Sequence, residues 1–496
     1  MSLRYNKLKS EFEKNQFYLK ILYQLRGRIS VMLYLNIERE AGYSFIRQIY
    51  EQIRSMILSG ELMEGEKLPS SREFAQTLKV SRNTVITSYE MLISEGLVFS
   101  RPGSGIFVQE GVKFDNQPEP IQDYIFTAHT PVELTGDTIC FHSGTPALDL
   151  FPRNKWIKIA AQTFKSAPIT ALGYDYPNGR PEFRNTLAAY LKKVRGISCH
   201  PDQIIITTGT KQGLSLIAKC LLNPLKEAWI EDPTNLNVKK IFSYYTKHII
   251  PIPVDQKGLR TDLLPRDGKP ALIFVTPSHQ YPMGGILPMQ RRLELLSFAN
   301  RNNCYIIEDD YDSEFRYTGL PIHSLHSLNK EKVIYVGTFS KTLFPSIRLG
   351  YMVLPYALVE QITELKRLGD HHSNSLNQLA VMRFIDSGEF ERYILQMNKV
   401  YSRRRDSLIN ALKVYFPGKV KILGEAAGMH IVAEFAETIF SAELIKKIEE
   451  AGVTVIPVEE HAMIKGNYRN QIILGYAHLN QEDIKKGLIR LKQVID

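Results

Sequence analysis

Val333-Ile334-Tyr335-Val336-Gly337-Thr338-Phe339-Ser340-Lys341, with Arg348 seven residues beyond the lysine, decides how most of this chain is read. Its four leading apolar residues predict a strand buried on both faces. The lysine then emerges at the strand's carboxyl end, the edge at which an α/β sheet presents its ligand-binding groups. A lysine desolvated beside hydroxyls and a cation loses its proton readily and can condense with an aldehyde. Residues 204–206, 228–230, 272–275 and 305–307 have the same short apolar texture and alternate with helical stretches. That alternation predicts an α/β domain with a mostly parallel sheet.

Two other strand ends carry matching chemistry. Asp309 and Asp310 follow 305–307, and a carboxylate there would keep a pyridine nitrogen protonated, because opposite charges favour each other's ionised forms. Tyr311 is placed to donate to a phenolic oxygen on the same ring. After 204–206, Thr208-Gly209-Thr210-Lys211-Gln212 leads into a helix with Leu214, Ile217, Ala218 and Leu221 inward. Its free N–H groups and the Thr210 hydroxyl suit a phosphate, with Ser340 and Arg348 completing the cradle. Pyridoxal 5'-phosphate is an aldehyde that needs a lysine, a ring-nitrogen carboxylate and an anion cradle together. Singly, each residue has an ordinary explanation as a solvated lysine, a cap or a loop. Their delivery to one sheet edge is what argues for a cofactor site.

At 496 residues the chain exceeds the roughly 250–300 at which one core stops growing, so at least two domains are expected. An apolar share of 44% and a charged share of 23% exclude disordered, collagen-like and coiled-coil classes. No apolar run approaches the ~20 residues of a membrane helix, and the charged start lacks a signal-peptide core, so no membrane partner and a cytoplasmic address are expected. Cys140, Cys199, Cys220 and Cys304 are far apart without CxxC spacing; they read as reduced core residues, and neither a metal site nor a disulfide framework is expected. The net charge of +10 permits a polyanionic partner without specifying one.

Residues 1–36 form a basic extension, with seven Lys/Arg against Glu11 and Glu13. From 37 to 111 the pattern becomes three short helices and a hairpin. Ile46, Ile49, Ile53 and Ile57 line one helix face, stopped by Gly60. Ser70 and Glu73 make a capping box for a second helix with Phe74, Ala75 and Leu78 inward. Ser81 caps a third, with Val85, Tyr89 and Leu92 inward and Gly96 at its end. Extended segments flank Pro102-Gly103-Ser104-Gly105. This is the pattern of a winged helix-turn-helix, whose third helix enters the DNA major groove. Its eight Lys/Arg against ten Glu, a net of −2, give no bulk electrostatic argument for DNA. Placement does, because Arg72, Arg82 and Arg101 fall on the proposed docking face. Residues 112–136, with Pro118, Pro120 and Pro131, read as a linker, and 137–496 as the α/β body.

The run from Ile49 to Val108, with LPSSREFA, VSRNTV, YEMLISEGL and RPGSGIFV, resembles the DNA-binding domain of GntR-type bacterial transcription factors. The resemblance implies DNA contacts by Ser71, Arg72, Ser81, Arg82, Thr84, Arg101 and Gly103. The region from about Phe141 to Val494 resembles the fold-type I aminotransferases. More narrowly, FHSGTPALDLFP, TPSHQYPMGG, YIIEDDYDSEF and GTFSKTLFPSIRLGYMVLP are similar to the MocR/GabR group, in which a GntR-type domain is fused to an aminotransferase-like body. This resemblance implies Lys341 as the residue of the internal aldimine and Asp309 on the pyridine nitrogen. It also implies Tyr311 on the phenolic oxygen, and Gly209, Thr210, Ser340 and Arg348 around the phosphate. Arg469, seven residues before the aromatic of Gly475-Tyr476, is expected to hold an effector's carboxylate. Asn235 stands where an aromatic near the ring is expected, and Asn237 where a cation is; His279 or Tyr281 would supply a ring face instead. Tyr174 or Tyr176 either reaches a partner's phosphate or packs locally. The implied function is a homodimeric, promoter-binding regulator that senses an amino acid or pyridoxal phosphate itself. A working aminotransferase with a vestigial DNA-binding domain is the alternative.

Overall fold

The computed structural model describes residues 33, 35–38, 42–112, 137–319 and 322–496. The expectations for the extension (1–36) and the linker (112–136) fall almost wholly outside these. The chain divides into two compact units, residues 1–131 and 132–496.

In the first unit the helices are Phe45–Leu58, Ser71–Leu78 and Arg82–Ser94, and the strands Val98–Arg101 and Gly105–Val108 form an antiparallel hairpin. Each helix starts where a serine side-chain oxygen caps it. Ser44 accepts from Arg47 N–H, Ser70 from Glu73 N–H and Ser81 from Thr84 N–H. Ile49, Ile53 and Ile57 are buried together with Phe74, Val85 and Leu92; complete burial of each aliphatic side chain contributes about 1.5–3 kcal/mol. Gly103 turns the hairpin with φ +73°, a region that favours glycine. Leu33 is also in this core, and Gln52 Oε1 accepts from Asn36 N–H. Packed structure therefore begins before residue 37, inside the segment read as an extension.

The second unit is built on an eight-stranded sheet. Its order is Ile204–Thr207, Gly350–Val353, Val333–Thr338, Tyr305–Asp310, Pro270–Val275, Glu227–Asp232, Ile249–Asp255 and Gly258–Leu259. All five strands read from the sequence are present, and they are buried because helices cover both faces of such a sheet. Gly350–Val353 was not anticipated. It runs antiparallel to both Val333–Thr338 and Ile204–Thr207, so those two strands point the same way. A Cβ at Gly350 would lie 2.9 Å from Gly209 Cα and 3.0 Å from Gly337 O, so only glycine lets the strand enter here. A second, antiparallel sheet orders Val420–Leu423, His430–Phe435, Gln471–Gly475 and Ile456–Pro457. The long helix Glu389–Tyr415 and the last helix Gln481–Ile495 share its core, where Met397, Leu408, Ile431, Leu474 and Leu488 are buried together.

Candidate functional site

The strand directions bring three ends to one edge. Tyr305–Asp310 is parallel to Val333–Thr338, and Ile204–Thr207 shares that direction through the intervening strand. A cavity of about 370 Å³ opens there, and Gly209, Thr210, Asp309, Tyr311, Ser340, Lys341 and Arg348 all line it. Lys341 Nζ donates to Gly144 O at 2.6 Å. Burial holds the lysine below its usual range, against the opposing pull of Asp312 and Asp309. Asp309 is half-buried, and its Oδ1, shielded from solvent, has no hydrogen-bond partner. Burial, with the neighbouring charge of Asp310 adding to it, pushes its carboxyl up to about 7. A buried carboxylate oxygen without a donor is costly unless a cation or N–H meets it, and a protonated pyridine nitrogen does.

At the other end of the cavity Gly209, with φ +129°, opens the helix Thr210–Leu221 without a side-chain cap. Its first N–H groups are therefore available to an anion. A Cβ on Gly209 would sit 3.3 Å from Arg348 Nη2, so glycine keeps the cradle open beside the guanidinium. Lys211, in the same lining, adds a second cation that the sequence reading passed over. The residues present thus fit pyridoxal phosphate, with an amine, a ring-nitrogen acceptor and a phosphate cradle at the expected ends. Tyr311 is half-buried at the same edge, but its hydroxyl donates to His279 O at 3.0 Å and lies 3.1 Å from His279 Nδ1. His279 Nδ1 also meets Asp312 Oδ2 at 3.1 Å.

Arg469 requires a correction. It lies exposed in the turn before Gln471–Gly475, its carbonyl accepts from Phe440 N–H, and it is absent from the cavity lining. Its expected role came from the resemblance alone, and the turn carries it to the surface. Asn235 and Asn237 do line the cavity; Asn235 caps the helix Leu236–Ser243 by accepting from Asn237 N–H. Of the two candidates for a ring face, Tyr281 lines the cavity and His279 is buried beside it. Tyr174 and Tyr176 are exposed, and the Tyr174 ring lies 4.9 Å from that of His371.

In the first unit Arg82 Nε donates to Ser71 Oγ at 3.3 Å, which joins the starts of the second and third helices. Ser81 Oγ and Thr84 Oγ1 are 2.8 Å apart. Arg72 and Arg101 are exposed, and the Arg101 guanidinium lies about 5 Å from the ring centres of Phe99 and Phe107. Ser71 and Gly103 border one hollow, together with Lys67, whose side chain lies against Gly105. Lys67 is a cation of this face that motif reading had not singled out.

The fold and this sheet edge define a pyridoxal-phosphate-binding body of the fold-type I aminotransferase class, joined to a winged helix-turn-helix. The chain belongs to the family Aminotransferase class I and II, matched over residues 137–491, and it carries a domain of the Bacterial regulatory proteins, gntR family, matched over residues 45–108. It is 32% identical to the probable rhizopine catabolism regulatory protein MocR of Rhizobium meliloti, over 92% of this chain and 95% of that protein. Similarity to the HTH-type pyridoxine biosynthesis transcriptional regulator PdxR of Corynebacterium glutamicum is 31%, covering 74% and 78%. Among solved structures, the Pyrococcus horikoshii kynurenine aminotransferase is 30% identical with a TM-score of 0.67, over 73% of this chain and 91% of that one. The two domains together are those of DNA-binding transcription regulators of the MocR type, with pyridoxal phosphate as the cofactor of the body. Among the described residues no helix is long and apolar enough to cross a membrane.

Proposed function

We propose that this chain is a cytoplasmic, homodimeric promoter-binding regulator that senses a primary amine, or pyridoxal phosphate itself, at the Lys341 cavity. One observation carries this reading: a half-buried lysine that shares its cavity with an unpartnered Asp309 coexists in one chain with a serine-capped recognition helix whose first turn is exposed. Pyridoxal phosphate, when bound, supplies an electrophilic carbon open to amines. Lys341 anchors it, Asp309 keeps its ring nitrogen protonated, and Tyr311 faces the ring's phenolic oxygen. Gly209, Thr210, Ser340 and Arg348 hold its phosphate. Ser71, Arg72, Ser81, Arg82, Thr84, Arg101 and Gly103 grip the operator.

An effector moves promoter affinity only through unequal binding to two arrangements of the body. Dimerisation is supported by large apolar side chains left exposed between residues 157 and 176, including Ile157, Phe164, Ile169 and Leu172. The test pairs promoter binding with turnover on the same preparation. Amine-dependent operator affinity without turnover supports the regulator. Steady transamination at about 1 per second or more, with operator affinity indifferent to amines, would place the aminotransferase reading first.

A further inference from the structure

Ser143, Thr234, Tyr281 and His430 form another part of the cavity wall. The hydrogen bonds behind this wall fix which atoms donate and which accept. His461 Nδ1 lies 3.2 Å from Thr234 O, and a carbonyl only accepts, so Nδ1 carries the proton. Burial lowers the pKa of His461, which leaves the ring neutral and its Nε2 bare. Tyr281 donates its hydroxyl proton to that Nε2 at 3.4 Å. With its proton so committed, the Tyr281 oxygen can only accept from Ser143 Oγ, 3.0 Å away. The lone pairs of Ser143 remain free. His430 Nε2 lies 3.0 Å from Pro282 O and is therefore protonated, which leaves Nδ1 as a bare acceptor. Burial pushes His430 down to about 3, so this ring is neutral as well.

An incoming ligand therefore meets acceptors on this wall, with the carboxyls of Asp309 and Asp312 in the same lining. Thr234 Oγ1, buried and unpartnered, adds a hydroxyl that can both give and take. The lining cations other than Lys341 are Lys211 and Arg348, both at the helix start where the phosphate cradle lies, and Arg469 is on the surface. A carboxylate on this wall would face lone pairs and like charge with no cation to pair with. A hydroxyl or amide N–H would find acceptors already oriented.

Resting on the regulator reading above, we infer that the effector is a primary amine whose far end is an uncharged hydrogen-bonding group, a hydroxyl or an amide, and that Tyr281, set by His461, determines this preference. Tyr281 and His461 also join separate parts of the body. The segment after His461 is tied to the end of the strand Glu227–Asp232 through Met463 N–H and Ile464 N–H, which donate to Asp232 at 2.6 and 3.0 Å. Ligand contact with Tyr281 therefore bears directly on the segment that leads back to the second sheet.

The test uses the full-length protein loaded with pyridoxal phosphate. It is titrated with ethanolamine, glycinamide, propylamine, glycine and β-alanine while the visible absorption band is followed. Operator binding is then measured with each amine that shifts the band. Ethanolamine and glycinamide should bind at least about tenfold more tightly than glycine and β-alanine, and more tightly than propylamine. Tyr281→Phe should bring the hydroxyl-to-alkyl ratio close to one. Asn235→Arg, an exposed change in the lining, should shift preference toward the carboxylates. Equal or tighter binding of glycine or β-alanine by the unaltered protein would overturn the ligand class. An unchanged ratio in Tyr281→Phe would overturn the role of Tyr281. If the loaded protein has a visible band that no amine of either kind shifts, the inference fails and sensing falls to the cofactor alone. A protein that acquires no band at all would instead sink the parent reading.

Discussion

Burial acts in opposite senses on Lys341 and Asp309, lowering the first and raising the second, because it penalises whichever form is charged. Bringing a protonated ring nitrogen to Asp309 removes that penalty for the carboxylate. Lys341→Ala should abolish the visible band of the loaded protein and the borohydride-fixed pyridoxyl group; survival of either would move the anchor elsewhere. The Asp309 shift also has a sign in stability. Its folded pKa, about 7, lies above the ordinary value, so between about pH 4 and 7 the folded state holds more protons than the unfolded one. Stability from this group is complete below that window and is lost as pH rises through 7. Glu231 and Glu314, both pushed up to about 7 mainly by burial, act in the same direction. The cofactor-free protein should therefore show a melting temperature that falls from pH 5 to 8. Asp309→Asn, which cannot titrate, should flatten part of that fall, and an unchanged slope would remove Asp309 as a source. At this scale the sequence was informative for residues fixed to strand ends. It was uninformative for Arg469, whose direction depends on a turn.

Elements were legible wherever periodicity and caps agreed. The helix Phe45–Leu58 buries three of the four isoleucines that its spacing selected, Ile49, Ile53 and Ile57, and leaves Ile46 half-buried. Ile53→Ala should cost about 2–5 kcal/mol through lost burial and the cavity left behind, read as a lower denaturant midpoint of the DNA-binding unit. The recognition helix was legible through Ser81, which caps it as expected. Arg82→Ala should weaken operator binding by about 1–3 kcal/mol if the guanidinium reads a base. A uniform loss across sequences with a shallower salt dependence would make it a phosphate contact instead. Gly350–Val353 was hidden because its strand character lies in its neighbours. Two of its flanking contacts are backbone approaches to Gly209 and Gly337, which no apolar count can register. Leu33 was hidden because its short apolar run, residues 29–35, was grouped with the basic residues that precede it.

For the whole molecule, the expected assembly is a dimer, and its test is a charge placed on the exposed apolar stretch. Ile169 is 85% exposed. Ile169→Asp should move the protein toward monomer in sedimentation and weaken binding to paired half-sites more than to a single one; an unchanged dimer would exclude this stretch from the interface. By itself, the sequence determined the two-part organisation, the strands that end in Lys341, Asp309 and Gly209, and the capped helices of the DNA reader. Those features are written in local periodicity and in residue types that physical chemistry restricts to few roles. Only the tertiary structure decided that Arg469 lies on the surface, that Lys211 joins the cavity lining, and that Ser143, Tyr281 and His461 form one hydrogen-bonded chain. Residues 143, 281 and 461 are far apart along the chain, and the direction of each proton between them follows from which atoms folding brings within reach, which no spacing records.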